Sequence, residues 1–210
     1  MTLAAYLNDH FVDKATLAAL AGTTVERLDT LVMASALPNP TYVCERGTIR
    51  SAAFGVIPIS EVLEGDYFRP EYTRWVQIAL HAMPGDERNA VLSTLTAELR
   101  DALQAWFDDP TVVEAKIQAY LPHFASGTFG LCVSDPSTGA GIVRKEVLQE
   151  RLIALTGDGS DPAPSEVSPA ALLQLIDDYA RAAMPFSPAE YARSSRKRLV
   201  DDLRPKVADR

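Results

Sequence analysis

Leu17-Ala-Ala-Leu-Ala-Gly-Thr-Thr-Val-Glu-Arg-Leu28 decides how the first part of the chain is read. Two short apolar runs at helical spacing flank Gly22, and Thr23 with Glu26 forms a capping box around Val25, ahead of Leu28, Leu31 and Val32. The pattern is a helix, a glycine turn and a second helix whose apolar face turns back on the first, a helix–turn–helix. Upstream, Leu3, Tyr6, Leu7 and Phe11 share one face of a further helix, and Asp13 is placed to cap the segment carrying Leu17 and Leu20. Downstream, Pro38 and Pro40 end the helical spacing. Thr41-Tyr-Val-Cys-Glu-Arg-Gly-Thr-Ile-Arg50 then predicts two short extended runs about a Glu-Arg-Gly turn, a small hairpin placed as a wing.

Residues 51–66 are ambiguous, with a helix start expected near Glu61, and from Tyr67 helical periodicity takes over. Val91, Leu95, Leu99, Leu103 and Phe107 form one stripe, and Asp109-Pro110 opens a helix carrying Val113, Ile117, Tyr120, Leu121 and Phe124. Ile142, Val143, Val147, Leu148, Leu152 and Leu155 form another stripe, and Ser168-Pro169 and Ser187-Pro188 each mark a further helix start, Glu190 completing a capping box with Ser187. The expected fold is mainly α, close to all-α. A winged-helix-like three-helix module with a small hairpin, residues 1–53, precedes a helical domain, residues 54–210.

At 210 residues, with 47% hydrophobic and 23% charged side chains, the chain can bury a sizeable core without covalent staples. Cys44 and Cys132 lie far apart, neither has a partner at redox or zinc spacing, and both are expected as free thiols. No basic leader and no long apolar run is present, so a cytoplasmic location without a membrane partner is expected. The net charge of −8 disfavours nucleic acid as a partner, and residues 1–45 carry two Lys/Arg against five Asp/Glu, which argues against specific DNA binding. Local positive charge is concentrated from Glu190 onward, with seven Lys/Arg against four Asp/Glu.

Gly127-Thr-Phe-Gly-Leu-Cys132 interrupts the helical pattern. Gly127 and Gly130 would let backbone amides approach a ligand, Cys132 is a candidate nucleophile, and His123 is a candidate to lower its pKa. The competing reading is a buried cysteine on a short tight strand, the glycines serving its turns. Arg193-Ser-Ser-Arg-Lys-Arg198 supplies a candidate anion-binding face, with Tyr191, Ser195 and Arg196 as ligand-binding candidates, against a solvated basic face as the alternative. His10, His81 and His123 are too dispersed for a metal triad, no metal site is expected, and the sequence assigns no cofactor.

With Ala36-Leu-Pro-Asn-Pro40, the opening stretch resembles the helix–turn–helix of MerR-type regulators. The whole chain resembles the bacterial family DUF6058 through Tyr-Leu-Asn at 6–8, Leu-Pro-Asn-Pro-Thr-Tyr at 37–42, Asp66-Tyr-Phe68 before Trp75, Gly127–Cys132, and Phe186-Ser-Pro188 with Ser194-Ser-Arg196. Some members of that family are labelled natural-product biosynthesis proteins, so the resemblance implies a place in specialised metabolism. It names no reaction. The expected function is a small accessory protein or enzyme that binds or acts on a small-molecule intermediate. The alternatives are a ligand-responsive transcription regulator and a structural interaction protein without a small-molecule site. Substrate, reaction and oligomeric state are left open.

Overall fold

Thr2, Asp13 and Thr24 each turn a side-chain oxygen onto a backbone amide three residues on, satisfying an N–H that a helix start leaves unpaired. They begin α1 (Leu3–His10), α2 (Lys14–Leu20) and α3 (Val25–Met33) of the computed structural model, which describes residues 1–209; β1 (Val12–Asp13) lies between the first two helices. Asp13 is the cap expected for α2, whereas α3 takes Thr24 instead of Thr23. Glu61 adds an acceptor from a distance. Its carboxylate takes hydrogen bonds from the amides of Leu3 at 2.8 Å and Ala4 at 2.9 Å, setting negative charge against the positive end of α1.

The hairpin is present as β2 (Tyr42–Glu45) and β3 (Thr48–Ser51), but it belongs to a larger sheet. β4 (Gly55–Pro58) pairs with β3, and β5 (Gly65–Phe68) inserts between β1 and β2, giving the antiparallel order β1-β5-β2-β3-β4. The fold is therefore α+β. The expected mainly α chain opening on a winged-helix-like module is overturned, and the ambiguous stretch 51–66 supplies strand rather than a helix near Glu61. The physical reason is length. Strands of two to four residues place only one or two side chains on each face, too few to show a period of two, and Gly55, Pro58 and Gly65 look like breakers in sequence.

Tyr42, Cys44, Ile49 and Ser51 are buried on one face of the sheet, while Val43, Arg50 and Asp66 align across β2, β3 and β5 on the other. After a 3₁₀ turn at Pro70–Tyr72 come α4 (Thr73–His81), α5 (Glu87–Gln104), α6 (Pro110–Ala125), α7 (Thr128–Cys132), α8 (Gly139–Thr156), α9 (Pro169–Ala182) and α10 (Leu203–Ala208). The expected stripe Val91, Leu95, Leu99 and Leu103 is fully buried along α5. Asp109 and Ser168 cap α6 and α9, each followed by proline in the first turn. The helix expected after Ser187 does not form. Short 3₁₀ and π turns at Tyr191–Arg193 and Lys197–Asp201 stand there, and Ser187 Oγ donates directly to the Glu190 carboxylate at 2.9 Å.

One apolar cluster runs from Leu3 through the sheet and α4–α8 to Phe186, so residues on both sides of the expected boundary at 53/54 share a core. A second joins α8, α9 and α10 through Leu152, Ile176, Tyr179, Leu199 and Leu203. The C-terminal stretch returns across the buried face of the sheet. Phe186 packs edge-on against Phe54, the Tyr6 hydroxyl donates to the Pro185 carbonyl at 2.7 Å, and Glu190 accepts from Tyr42 and Ser51, both at 2.6 Å. Among the described residues no helix is long and apolar enough to cross a membrane.

Candidate functional site

Gly127 and Cys132 bracket a helical turn, α7, and not the short strand that the glycines suggested. Gly127 adopts φ +80° as the chain leaves α6, and a Cβ there would collide with the Asn39 carbonyl; one on Gly130 would collide with Thr41 Oγ1 and the Tyr72 hydroxyl. Both glycines thus let α7 press against residues 39–41 and Tyr72. The buried guanidinium of Arg69 closes the end of this turn. It donates to the carbonyls of Gly130 at 3.3 Å, Val133 at 3.1 Å and Ser134 at 3.0 Å while pairing with both oxygens of Glu71.

Cys132, 7% exposed, lies beside Lys145 of α8, which is 3% exposed. Burial pushes the thiol up, only partly offset by the Lys145 ammonium, so it is protonated near neutral pH. For Lys145, burial works against the charge, yet its pKa is raised by the acidic groups around it, of which the Glu146 carboxylate, 2.8 Å away, is the one that is ionised near neutral pH. The Tyr179 hydroxyl sits within hydrogen-bond reach of Ser195 Oγ at 2.8 Å and Gln149 Oε1 at 3.2 Å. Lys145 thus lies beside Cys132 and within the electrostatic reach of Tyr179, which in turn bonds Ser195. His123 is exposed on α6, edge-on to Phe129 at 6.0 Å, and has no hydrogen bond to Cys132. The Tyr191 hydroxyl donates to Asp201 at 2.9 Å. Arg196 spends its Nη1 on the carbonyls of Ala180 at 2.8 Å and Ala183 at 3.1 Å, where α9 ends.

Sequence reasoning passed over Lys145. Its signal is a lysine three residues from both Ile142 and Leu148 on an apolar helix stripe. Among the described residues no three His, Cys, Asp or Glu side chains cluster as metal ligands. On α3, Arg27 pairs with Glu87 at 2.5 Å. Lys14 of α2 sits between Asp29 at 2.7 Å and Asp66 at 3.0 Å.

Open space with aromatic walls lies elsewhere. α5 ends at Gln104, and the amides of Trp106 and Phe107 both bond the Leu103 carbonyl, turning the two rings toward α8. Ala105, Trp106 and Phe107 face Val147, Glu150, Arg151 and Ala154 across a cleft of about 470 Å³, inside the range of small-molecule sites, about 300–1,000 Å³. Trp106 is 40% exposed, with the Arg151 guanidinium 5.7 Å from its ring centroid. The Lys116 ammonium lies 4.8 Å over Phe107 and 2.5 Å from Glu150. Nearby, the buried Tyr120 hydroxyl lies by the Glu150 carboxylate without a well-formed hydrogen bond among the described residues; burial, then the Glu150 and Glu146 carboxylates, raise its pKa. Two other clefts lack aromatic walls. One, of about 370 Å³, is lined by Asn39, Arg50, Asp66 and Ser126 beside Gly127. The other, of about 490 Å³, lies where Thr138 and Gly141 meet Arg144 and Arg181, both drawn to Asp178.

The model of a family of unknown function (DUF6058) matches residues 86–208, from the start of α5 through α10, and the chain belongs to that family. No curated protein matches the chain, and no solved structure does.

Proposed function

We propose that this protein binds a small, largely apolar molecule in the cleft between the Trp106–Phe107 turn and α8. The observation that carries the reading is the 40% exposed Trp106 on the wall of a cleft of about 470 Å³. A large aromatic ring left in water beside an empty concavity is apolar surface that a ligand would cover favourably. The cleft also lies wholly inside the stretch matched by the family. An intermediate of specialised metabolism, the association implied by the family resemblance, is a ligand of suitable size. The regulator alternative has less support, since the one cation on α3, Arg27, is already engaged by Glu87.

Ligand-observed NMR on the full chain with indole, biphenyl and naphthalene derivatives tests the proposal. Binding should vanish in Trp106→Ala and in Ala154→Trp, which fills the cleft from an exposed helix position, with the thermal midpoint of each variant close to that of the parent. Absence of any binding, or binding that both variants leave intact, would defeat it.

A further inference from the structure

Arg151 carries the one charge lining the aromatic cleft that no side chain neutralises. Glu150, the other charged residue on the wall, is paired with Lys116, whereas Arg151 makes no ion pair or hydrogen bond among the described residues. Its guanidinium stands 5.7 Å from the Trp106 centroid, near the outer limit of about 6 Å for a cation over a ring. It is therefore close enough to be aligned by the indole and too distant to be spent on it. Among the described residues no protein group takes an N–H donor of its planar fork, which leaves the fork available to an anion.

The walls match a flat body. Trp106 and Phe107 form one side, and Val147 and Ala154, on a single face of α8, form the other. We infer that the cleft takes a rigid aromatic molecule bearing a carboxylate or similar monoanion, with the rings between Trp106 and α8 and the anion on Arg151. The inference rests on the binding reading above and narrows it to a ligand class. A cationic ligand would meet Arg151 directly and would have to displace Lys116 to reach Glu150. A neutral ligand would gain the walls and leave the guanidinium unused. Arginine, rather than lysine, suits the site because its fork meets both oxygens of a carboxylate in one plane.

Three probes that share a ring system separate these cases: 2-naphthoate, neutral 2-naphthol and 2-naphthylmethylammonium, titrated into the full chain by ligand-observed NMR. Naphthoate should bind about threefold to fivefold tighter than either of the others, as a charge-assisted pair to an exposed arginine implies. Arg151→Gln should bring naphthoate down to the level of naphthol and leave naphthol unchanged, and Arg151→Lys should keep part of the difference. Arg151 is exposed, so neither variant should disturb folding. Naphthoate no tighter than naphthol, an ammonium that binds best, or a naphthoate preference that survives Arg151→Gln would overturn the inference while leaving the cleft a binding site. Loss of all three probes, or binding indifferent to Trp106→Ala, would instead remove the binding reading itself.

Discussion

Replacing Glu190 by alanine withdraws one acceptor from three hydroxyls at once. The carboxylate is 1% exposed and takes hydrogen bonds from Tyr42 and Ser51 at 2.6 Å and from Ser187 at 2.9 Å. Each orphaned hydroxyl costs about 1–1.5 kcal/mol, and the void adds about 1–2 kcal/mol. Relief of the buried charge returns about half of the hydrogen-bond loss, so Glu190→Ala should lower the unfolding free energy by about 3 kcal/mol. That is a large share of the roughly 5–15 kcal/mol by which such domains are stable. Glu190→Gln keeps the volume and one acceptor, its amide donating to a hydroxyl that rotates to accept, and should cost about 1 kcal/mol. Tyr42→Phe should cost about 2 kcal/mol in the parent and almost nothing beside Glu190→Ala, a coupling of about 2 kcal/mol. Urea unfolding followed through Trp75, whose indole is buried and donates to the Pro136 carbonyl, measures the parent and all four variants. A cost below about 1 kcal/mol for Glu190→Ala, or additivity with Tyr42→Phe, would refute the reasoning.

Tyr120→Phe should change stability by less than about 1 kcal/mol, because the buried hydroxyl it removes has no well-formed hydrogen bond to the neighbouring Glu150; a clear loss in calorimetry would mean that Glu150 accepts from the phenol. Cys44 is held up to about 11 by burial, and Cys132 is also raised, so a thiol reagent at pH 8 should label both only as fast as the protein opens. Immediate labelling of folded protein would contradict both burials. Asp13, held low by its bond from the Thr16 amide, and Asp109, held low by Thr111, lie below the ordinary value of 3.8. As pH falls the unfolded chain protonates first, so their contribution is intact above that value and is lost as pH drops through the folded pKa. The thermal midpoint should decline below about pH 4, less steeply in Asp13→Asn and Asp109→Asn than in the parent; an acid limb unchanged in both variants would exclude this origin.

Long helices were legible where a cap, a period and a proline agreed. Asp109-Pro110, Ser168-Pro169 and the Val91–Leu103 stripe all stand where the spacing put them. The sheet was not, because its strands are too short to show their alternation and their partners are remote in sequence, as in Val12 opposite Phe68. Gly127–Cys132 was conspicuous as a break in periodicity, but what its glycines approach, the 39–41 backbone, Thr41 and Tyr72, emerges only in three dimensions. The Ser187–Glu190 spacing flagged a true contact with the wrong geometry: the pair binds side chain to side chain and serves the sheet. Trp106 was hidden for a different reason. It falls in the turn just past the end of α5, where the stripe no longer tells which way a side chain points.

Tyr42 and Ser51 precede by 148 and 139 residues the carboxylate that takes up their protons' hydrogen bonds. On a ribosome adding about 5–20 residues per second, that separation is a wait of roughly 7–30 s. Through that interval Tyr6 and Phe11 can already pack on Tyr42, but the two hydroxyls lack the carboxylate that takes their hydrogen bonds in the finished fold. Short edge strands, two residues in β1 and four in β4, offer little template for pairing with a neighbouring chain during the delay. The hydroxyls of Tyr42 and Ser51 are thus made early and meet their acceptor only once the segment around Glu190 has been synthesised.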